Sequence, residues 1–465
     1  MFTLQLLLAL ILTCLPVWVW LERLVPMGTT CRRLLIGGYT LFLGMMLVTL
    51  IMRFLSVIGV SFSVGSIGGV GAFIFFSGVL APRSWRMTGL PSQSAPVLNR
   101  QVAGIHRLVF GICLALLASR VLVLGLEIGT RPLFAWDALQ HWTKQAKVFF
   151  DQGSTAPYVA LNEWLAMGGK GVYTNMHPDY AITTPLLQTW TNVALGSWHD
   201  SLMSFPWLLI FVSLGLVFYA QARVAKIDST TAIAATYMAL SLPYLNVQVA
   251  LPGYADLLVA LSFLAAFAAF YNWSCDRQSW QALLCILCAL CGLLVKNEGF
   301  YWFLTFGSGW LLASVGVKRG LLVGGTLLLG LLLVLWLMPD TWVIAGHSLQ
   351  ELSLGYRPEA WTAVYVSFLK HDNWHFLSYL FLAALAMFIW HARQAPMLAP
   401  VAAIVLSALA LYLCLYLFTR YSFGAVRMTS LNRVALQLMP VVAFFTLLVY
   451  ASVSRNRVLA PAQQR

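Results

Sequence analysis

The sequence predicts an all-α protein that crosses a membrane many times, and three observations carry that prediction. Hydrophobic residues make up 60% of the chain and charged residues 9%, with a mean hydropathy of +0.82; a soluble fold of this length needs far more charge on its surface. Apolar windows of about 20 residues, the length that crosses a bilayer core, recur along the chain. The 28 Lys and Arg, against 15 Asp and Glu, fall mainly in the short segments between those windows, where they act as orientation signals and not as a nucleic-acid surface. Many of the 18 Trp and 17 Tyr flank the windows, at the level of the headgroups.

The windows lie near 3–21, 34–52, 63–81, 104–126, 203–222, 229–245, 252–271, 281–295, 300–316, 320–338, 376–391, 397–418 and 434–452, a polytopic bundle of about 13 helices. The first run is long and leads into Glu22 and Arg23 without a small-residue cleavage site, so it is expected to stay as the first helix. With the segment after residue 126 placed outside, Arg23, Arg32, Arg33, Arg83, Arg86, Arg100, Arg223, Lys226, Arg277, Lys318, Arg319, Arg393, Arg455 and Arg457 face the cytoplasm, more than in the opposite orientation. The N-terminus is then outside and the C-terminus inside. Three helices in 1–103 precede a larger membrane region, 104–453, which contains the outer loop 127–202, and a cytoplasmic tail covers 454–465.

Three stretches break the helical pattern, 127–202, 339–375 and 419–433, and in this orientation all face the outer side. Gly65 and Gly69 form a small-xxx-small pair and are expected to pack helices closely, while Gly168-Gly169-Lys170-Gly171 reads as a flexible turn. Six of the eight cysteines (Cys14, Cys113, Cys285, Cys288, Cys291 and Cys414) lie inside apolar runs, so no disulfide framework is expected, and Cys285, Cys288 and Cys291 read as packing residues on one helix. Arg53 and Arg120 lie near membrane boundaries, where long cationic side chains snorkel.

Chemistry is expected in the outer segments. The run Arg131 to Lys147 reads as a short interfacial helix on which spacings of four and three put Asp137, His141 and Lys144 on one side, with Trp136 and Trp142 anchoring other sides at headgroup depth. A carboxylate at that depth is costly to keep ionised without a partner or water, which marks Asp137 as a candidate general base. Tyr173-Thr-Asn175-Met-His177-Pro178-Asp179-Tyr180 ends the same loop; Pro178 disfavours helix at His177 and predicts a rigid turn presenting His177 and Asp179, ahead of an amphipathic stretch from Thr184 to Trp190. Lys296-Asn297-Glu298 interrupts two apolar runs, where Lys and Glu can pair or hold a phosphate and a sugar hydroxyl. Asp256, after Pro252-Gly253-Tyr254-Ala255, reads as a helix-start carboxylate. Arg420, Tyr421, Arg427, Asn432 and Arg433 crowd the last outer segment, where guanidinium groups suit a phosphate leaving group or phospholipid headgroups.

Together these residues resemble the GT-C polyprenyl-phosphate-sugar glycosyltransferases, the superfamily of protein mannosyltransferases and aminoarabinose transferases, over roughly residues 104–453. The marks are Trp136-Asp137-Ala138 with Trp142 and Lys144 to Lys147, His177-Pro178-Asp179-Tyr180, Lys296-Asn297-Glu298-Gly299, and Asn432-Arg433 before the last helix. The resemblance implies a GT-C-type helix bundle with outer-face juxtamembrane helices and an inverting transfer, with Asp137 as base and Arg433 among the contacts to the polyprenyl phosphate. It implies substrate contacts for His141, Lys144, His177, Asp179, Tyr180, Lys296, Glu298, Arg420 and Arg427. The three helices before residue 104 depart from the family pattern, and 339–375 leaves no room for a soluble domain.

The implied partners are a lipid-linked sugar donor, a glycolipid, polysaccharide or exported-protein acceptor such as a pilin, and membrane lipid, at a bacterial inner membrane with the site facing the periplasm. No cofactor is firmly expected. Fixed cations can stabilise a single donor phosphate without metal, while the outer carboxylates leave Mg²⁺ or Ca²⁺ open. The rivals are a lipid-linked sugar flippase or transporter, disfavoured because the polar clusters sit at one face and no repeat is found, and an O-antigen-ligase-like transferase, disfavoured because a carboxylate begins the first outer loop.

Overall fold

A computed structural model describes residues 2–82, 87, 100–339, 341, 343–344, 347–391 and 395–459. Arg83, Arg86 and Arg393, expected in the cytoplasm, lie outside the described residues, as does 460–465 of the expected tail. The chain is an all-α, multi-pass integral membrane protein: eight helices among the described residues are long and apolar enough to cross a membrane. It divides into two compact units, the first made of Met1–Ser241, Leu245–Ala265 and Leu294–Lys296, the second of Leu242–Tyr244, Ala266–Leu293 and Asn297–Arg465.

In the first unit, α1 (Phe2–Leu24), α2 (Arg32–Val57), α3 (Val64–Leu80) and α4 (Arg100–Thr130) precede the long loop region that follows Thr130. That loop contains a π-helical turn (Ala138–Thr143), α5 (Lys144–Gln152), β1 (Tyr158–Val159), α6 (Leu161–Ala166), β2 (Tyr173–Thr174) and α7 (Thr183–Leu195). Next come α8 (Phe205–Val224), α9 (Ser229–Leu240), α10 (Pro243–Ala250) and α11 (Asp256–Asp276), which continues into the second unit. The predicted window 229–245 is therefore not one span. Pro243, which lacks an N–H and restricts Leu242 before it, starts α10 afresh after α9 ends.

The second unit holds α12 (Ser279–Leu293), α13 (Glu298–Val315), α14 (Val317–Leu337), the antiparallel pair β3 (Val343–Ile344) and β4 (His347–Ser348), α15 (Leu349–Leu352), α16 (Glu359–Tyr365), α17 (Leu377–His391), α18 (Ala399–Phe418), α19 (Ser422–Val426) and α20 (Leu431–Leu459). Backbone bonds from Gly355 N to Phe418 O and from Arg420 N to Leu352 O strap the segment after α15 to the end of α18.

Helices in lipid pack on small residues because hydrocarbon gives no hydrophobic drive between them. The expected pair Gly65 and Gly69 does not do this: a Cβ on Gly69 would meet open space and one on Gly65 only the hydroxyl of Ser63, just before α3. α3 approaches α1 at Gly68, beside Leu12, at Gly71, beside Pro16, and most closely at Gly78, where a Cβ would meet Val19 at 2.8 Å. The cysteines Cys285 and Cys288 are buried packing residues on α12. The loop end from Thr184 to Trp190 is not amphipathic: α7 is buried almost throughout, packed on α1, α2 and α5, with Trp190 Nε1 donating to Thr13 Oγ1 at 2.9 Å.

The contact of α2 with α1 is testable. A Cβ on Gly44 in α2 would lie 2.6 Å from the Thr13 carbonyl oxygen of α1. Gly44→Ala is expected to destabilise by about 1–3 kcal/mol through overpacking, read as a lowered melting midpoint in detergent, whereas Gly104→Ala on the open face of α4 leaves the midpoint in place.

Candidate functional site

The loop region of the first unit is built around the π-helical turn. Its wider coil buries two successive large side chains, His141 and Trp142, where an α-helix would place neighbours about 100° apart. Trp142 is 1% exposed and thus part of the core, not a headgroup anchor, whereas Trp136 is 70% exposed as an anchor would be. Lys144 is exposed while His141 is buried, so the two do not share a working face. Asp137, half-buried, immediately precedes the π-turn.

Asn175 joins this turn to the far end of the loop. The parallel pairing of β1 with β2 (Tyr158 opposite Tyr173) delivers it, and its Nδ2 donates to the His141 carbonyl at 2.9 Å. That bond orients the amide, so Oδ1 faces His141 Nδ1 at 3.2 Å and accepts from the His177 N–H at 3.3 Å. The proton of neutral His141 is therefore assigned to Nδ1, leaving Nε2 as an acceptor.

The rings form one cluster. His177 stacks on Tyr180 at 4.6 Å and 7°, Tyr180 stacks on Trp142 at 5.8 Å and 20°, and the imidazoles of His141 and His177 are 5.0 Å apart. Burial, and then the neighbouring His141, push the His177 pKa below the usual imidazole value, opposed by the charges of Asp179 and Asp137. Asp137, His141, His177, Asp179 and Tyr180 are thus brought into one neighbourhood from two ends of the loop. Asp179 is exposed.

A second layer closes on the turn from the membrane helices. Gly253, at φ +100°, lies so close that a Cβ there would sit 2.5 Å from Ala138 Cβ, which no other residue type tolerates without a shift. Tyr254 then meets Trp142 edge-on at 6.1 Å, and its carbonyl accepts from Trp207 Nε1 at 3.0 Å. Asp256, fully buried at the start of α11, receives Lys296 Nζ at 2.9 Å; Lys296 is itself 11% exposed. Asp256 is thus more than the helix-start carboxylate the sequence indicated. Beside it, Arg53 Nη2 donates to Thr183 Oγ1 at 2.9 Å, and that hydroxyl bonds to the Leu294 carbonyl. Arg53 does not snorkel outward, and Arg120 reaches Asn246 Oδ1 at 2.9 Å.

The remaining candidates lie in the second unit. Glu298 is half-buried in the first turn of α13, where the Gly292 carbonyl leaves no room for a side chain at Gly299. Arg420 and Arg427 are exposed and lie over the rings of Tyr421 and Phe423, 5.8 and 4.0 Å from their centroids. Arg433 is half-buried in the first turn of α20, next to Asn432, which accepts from Ser367 Oγ. Among the described residues no three His, Cys, Asp or Glu side chains converge as metal ligands.

Sequence reasoning missed Asn175 as an orienting residue, the packing roles of Gly253 and Tyr254, and Thr183. The signal available for Gly253 was its place between Pro252 and a bulky Tyr254, typical of a tight turn.

Two outcomes follow. Removing either partner of the buried pair, by Asp256→Asn or Lys296→Met, is expected to cost about 3–5 kcal/mol because the other charge stays buried. The double variant melts above both singles in the same detergent. Because the folded His177 pKa is depressed, its contribution is intact above its ordinary value of 6.5 and is lost as pH falls below it. Thermal melts across that range are expected to show less acid destabilisation in His177→Gln.

Comparison with known families, curated proteins and solved structures finds no match to this chain.

Proposed function

We propose that the chain is an inverting glycosyltransferase that moves a sugar from a polyprenyl-phosphate donor to a hydroxyl of an envelope glycolipid, polysaccharide or exported protein, at the periplasmic face of a bacterial inner membrane. One observation carries it: Asp137, His141, His177, Asp179 and Tyr180 come together among aromatic rings from two ends of one long loop, in the order and residue types of the GT-C resemblance.

In this mechanism the Asp137 carboxylate takes the proton of the acceptor hydroxyl as that oxygen attacks the anomeric carbon. The bond from that carbon to the phosphate oxygen breaks on the opposite face, and its electron pair leaves with the phosphate, inverting the centre. A half-buried carboxylate suits the role, since it keeps access to the acceptor while water is reduced around it. His141, with Nε2 free as acceptor, and His177 are placed to bind sugar or acceptor hydroxyls, and Tyr180 supplies an aromatic face and a hydroxyl. The resemblance further implies substrate contacts for Lys296, Glu298, Arg420 and Arg427 and a donor-phosphate contact for Arg433, the cations among them suiting a phosphate leaving group.

A lipid-linked sugar flippase is the second reading, favoured by one contact: Arg120, within α4, meets Asn246 just past the break between α9 and α10, a polar link at a broken helix. Purified protein given a synthetic polyprenyl-phosphate sugar and a hydroxyl acceptor separates the two. Asp137→Asn is expected to lower transfer by at least about a hundredfold without changing the melting midpoint, and Arg433→Ala to raise the donor KM. Donor movement across vesicles with no transfer by the wild type would sink the transferase.

A further inference from the structure

The arginines of the first unit differ in how their charge is met. Arg32 pairs with Glu22 at 2.6 Å, and Arg120 has Asn246 and the ring of Tyr237. Arg53 has neither a carboxylate nor a ring among the described residues: its one hydrogen bond goes to the neutral Thr183 hydroxyl, and its Nε is buried without a partner. Lys296 nearby is already neutralised by Asp256. A guanidinium drawn into the protein at the outer end of a membrane helix is costly unless an anion completes it.

We infer that Arg53 is an anion-binding residue contributed by the N-terminal helices, taking a phosphate oxygen of a lipid-linked ligand at the outer end of α2. Thr183 holds one arm of the guanidinium, so the fork is oriented before the ligand arrives, which lowers the ordering cost of a charge-assisted contact. The same hydroxyl bonds to the Leu294 carbonyl, two residues before Lys296, so the anion contact is tied to the segment that carries the Lys296–Asp256 pair. This gives α2, which lies outside the region of family resemblance, a place in the site. The choice of a lipid-linked phosphate over a bulk phospholipid headgroup rests on the glycosyltransferase proposal; the presence of an anion contact does not.

The test uses the full chain in phosphatidylcholine nanodiscs, with binding measured for polyprenyl phosphate lacking a sugar, for the matching polyprenol without phosphate, and with phosphatidylglycerol as competitor. Arg53→Met is expected to weaken polyprenyl-phosphate binding by about tenfold, the effect of losing one charge-assisted contact, with Arg53→Lys intermediate and polyprenol binding unchanged. Should Arg53→Met lower the melting midpoint, Arg53→Gln, which keeps a polar stem without charge, carries the comparison. Wild-type binding in the charge-free variants would overturn the inference, and equal competition by phosphatidylglycerol would overturn the lipid-linked source. Arg53-dependent binding without any sugar transfer would keep the anion contact and remove the transferase, while transfer by Arg53→Met with an unchanged donor KM would do the reverse.

Discussion

The loop cluster of the first unit depends on one buried ion pair. Asp256 has no solvent exposure and Lys296 little, so their mutual attraction acts in a low-dielectric setting and the loss of either leaves a bare charge. The pair fixes where α11 begins and, through it, the turn that lays Gly253 against Ala138 and Tyr254 against Trp142. From Trp142 the order passes to Tyr180 and His177, and from His141 to Asn175. It also accounts for Leu294–Lys296 belonging with the first unit although α12 and α13 on either side belong to the second.

The floor beneath this cluster is as unusual as the cluster itself. α7 is a buried helix at the end of a long loop, and Thr143 and Thr189 on the two sides of its contact with the π-turn and α5 bond to Gln188 and to the Ala146 carbonyl. In hydrocarbon surroundings each satisfied polar group removes a desolvation cost that water would otherwise meet. The loop is held by such bonds, including those of Phe62 N to Gly153 O and Thr155 N to Ser56 Oγ, which tie it to the last turn of α2 and to the segment that follows it.

Much of the fold was legible because apolar windows of spanning length are a strong, one-dimensional signal, and each predicted window carries helix. The break at Pro243 was present in the sequence but outweighed by the apolar run around it. The site was legible in part. Asp137, His141, His177, Asp179 and Tyr180 stand out as polar or aromatic residues in a long break between apolar windows, and the structure draws them together. The partner of Lys296 was not legible, since Asp256 lies 40 positions away and nothing local joins them. Likewise the spacing that put Lys144 beside His141 assumed an α-helix, and the π-turn invalidates it. Gly65 and Gly69 had the right motif on the wrong face of α3, because motif spacing does not say which side meets a neighbour.

The π-helical turn has a consequence for how such a site can be retuned. An α-helix would span the same path from Ala138 to Thr143 with fewer residues, so the turn carries surplus chain. Loss of a single residue there would relax it to ordinary helix while α5 downstream keeps its register, changing only which side chain within the turn meets the rings of Tyr180 and His177. Specificity in this loop is therefore adjustable in whole-residue steps, by insertion and deletion, and not only by exchanging one side chain for another.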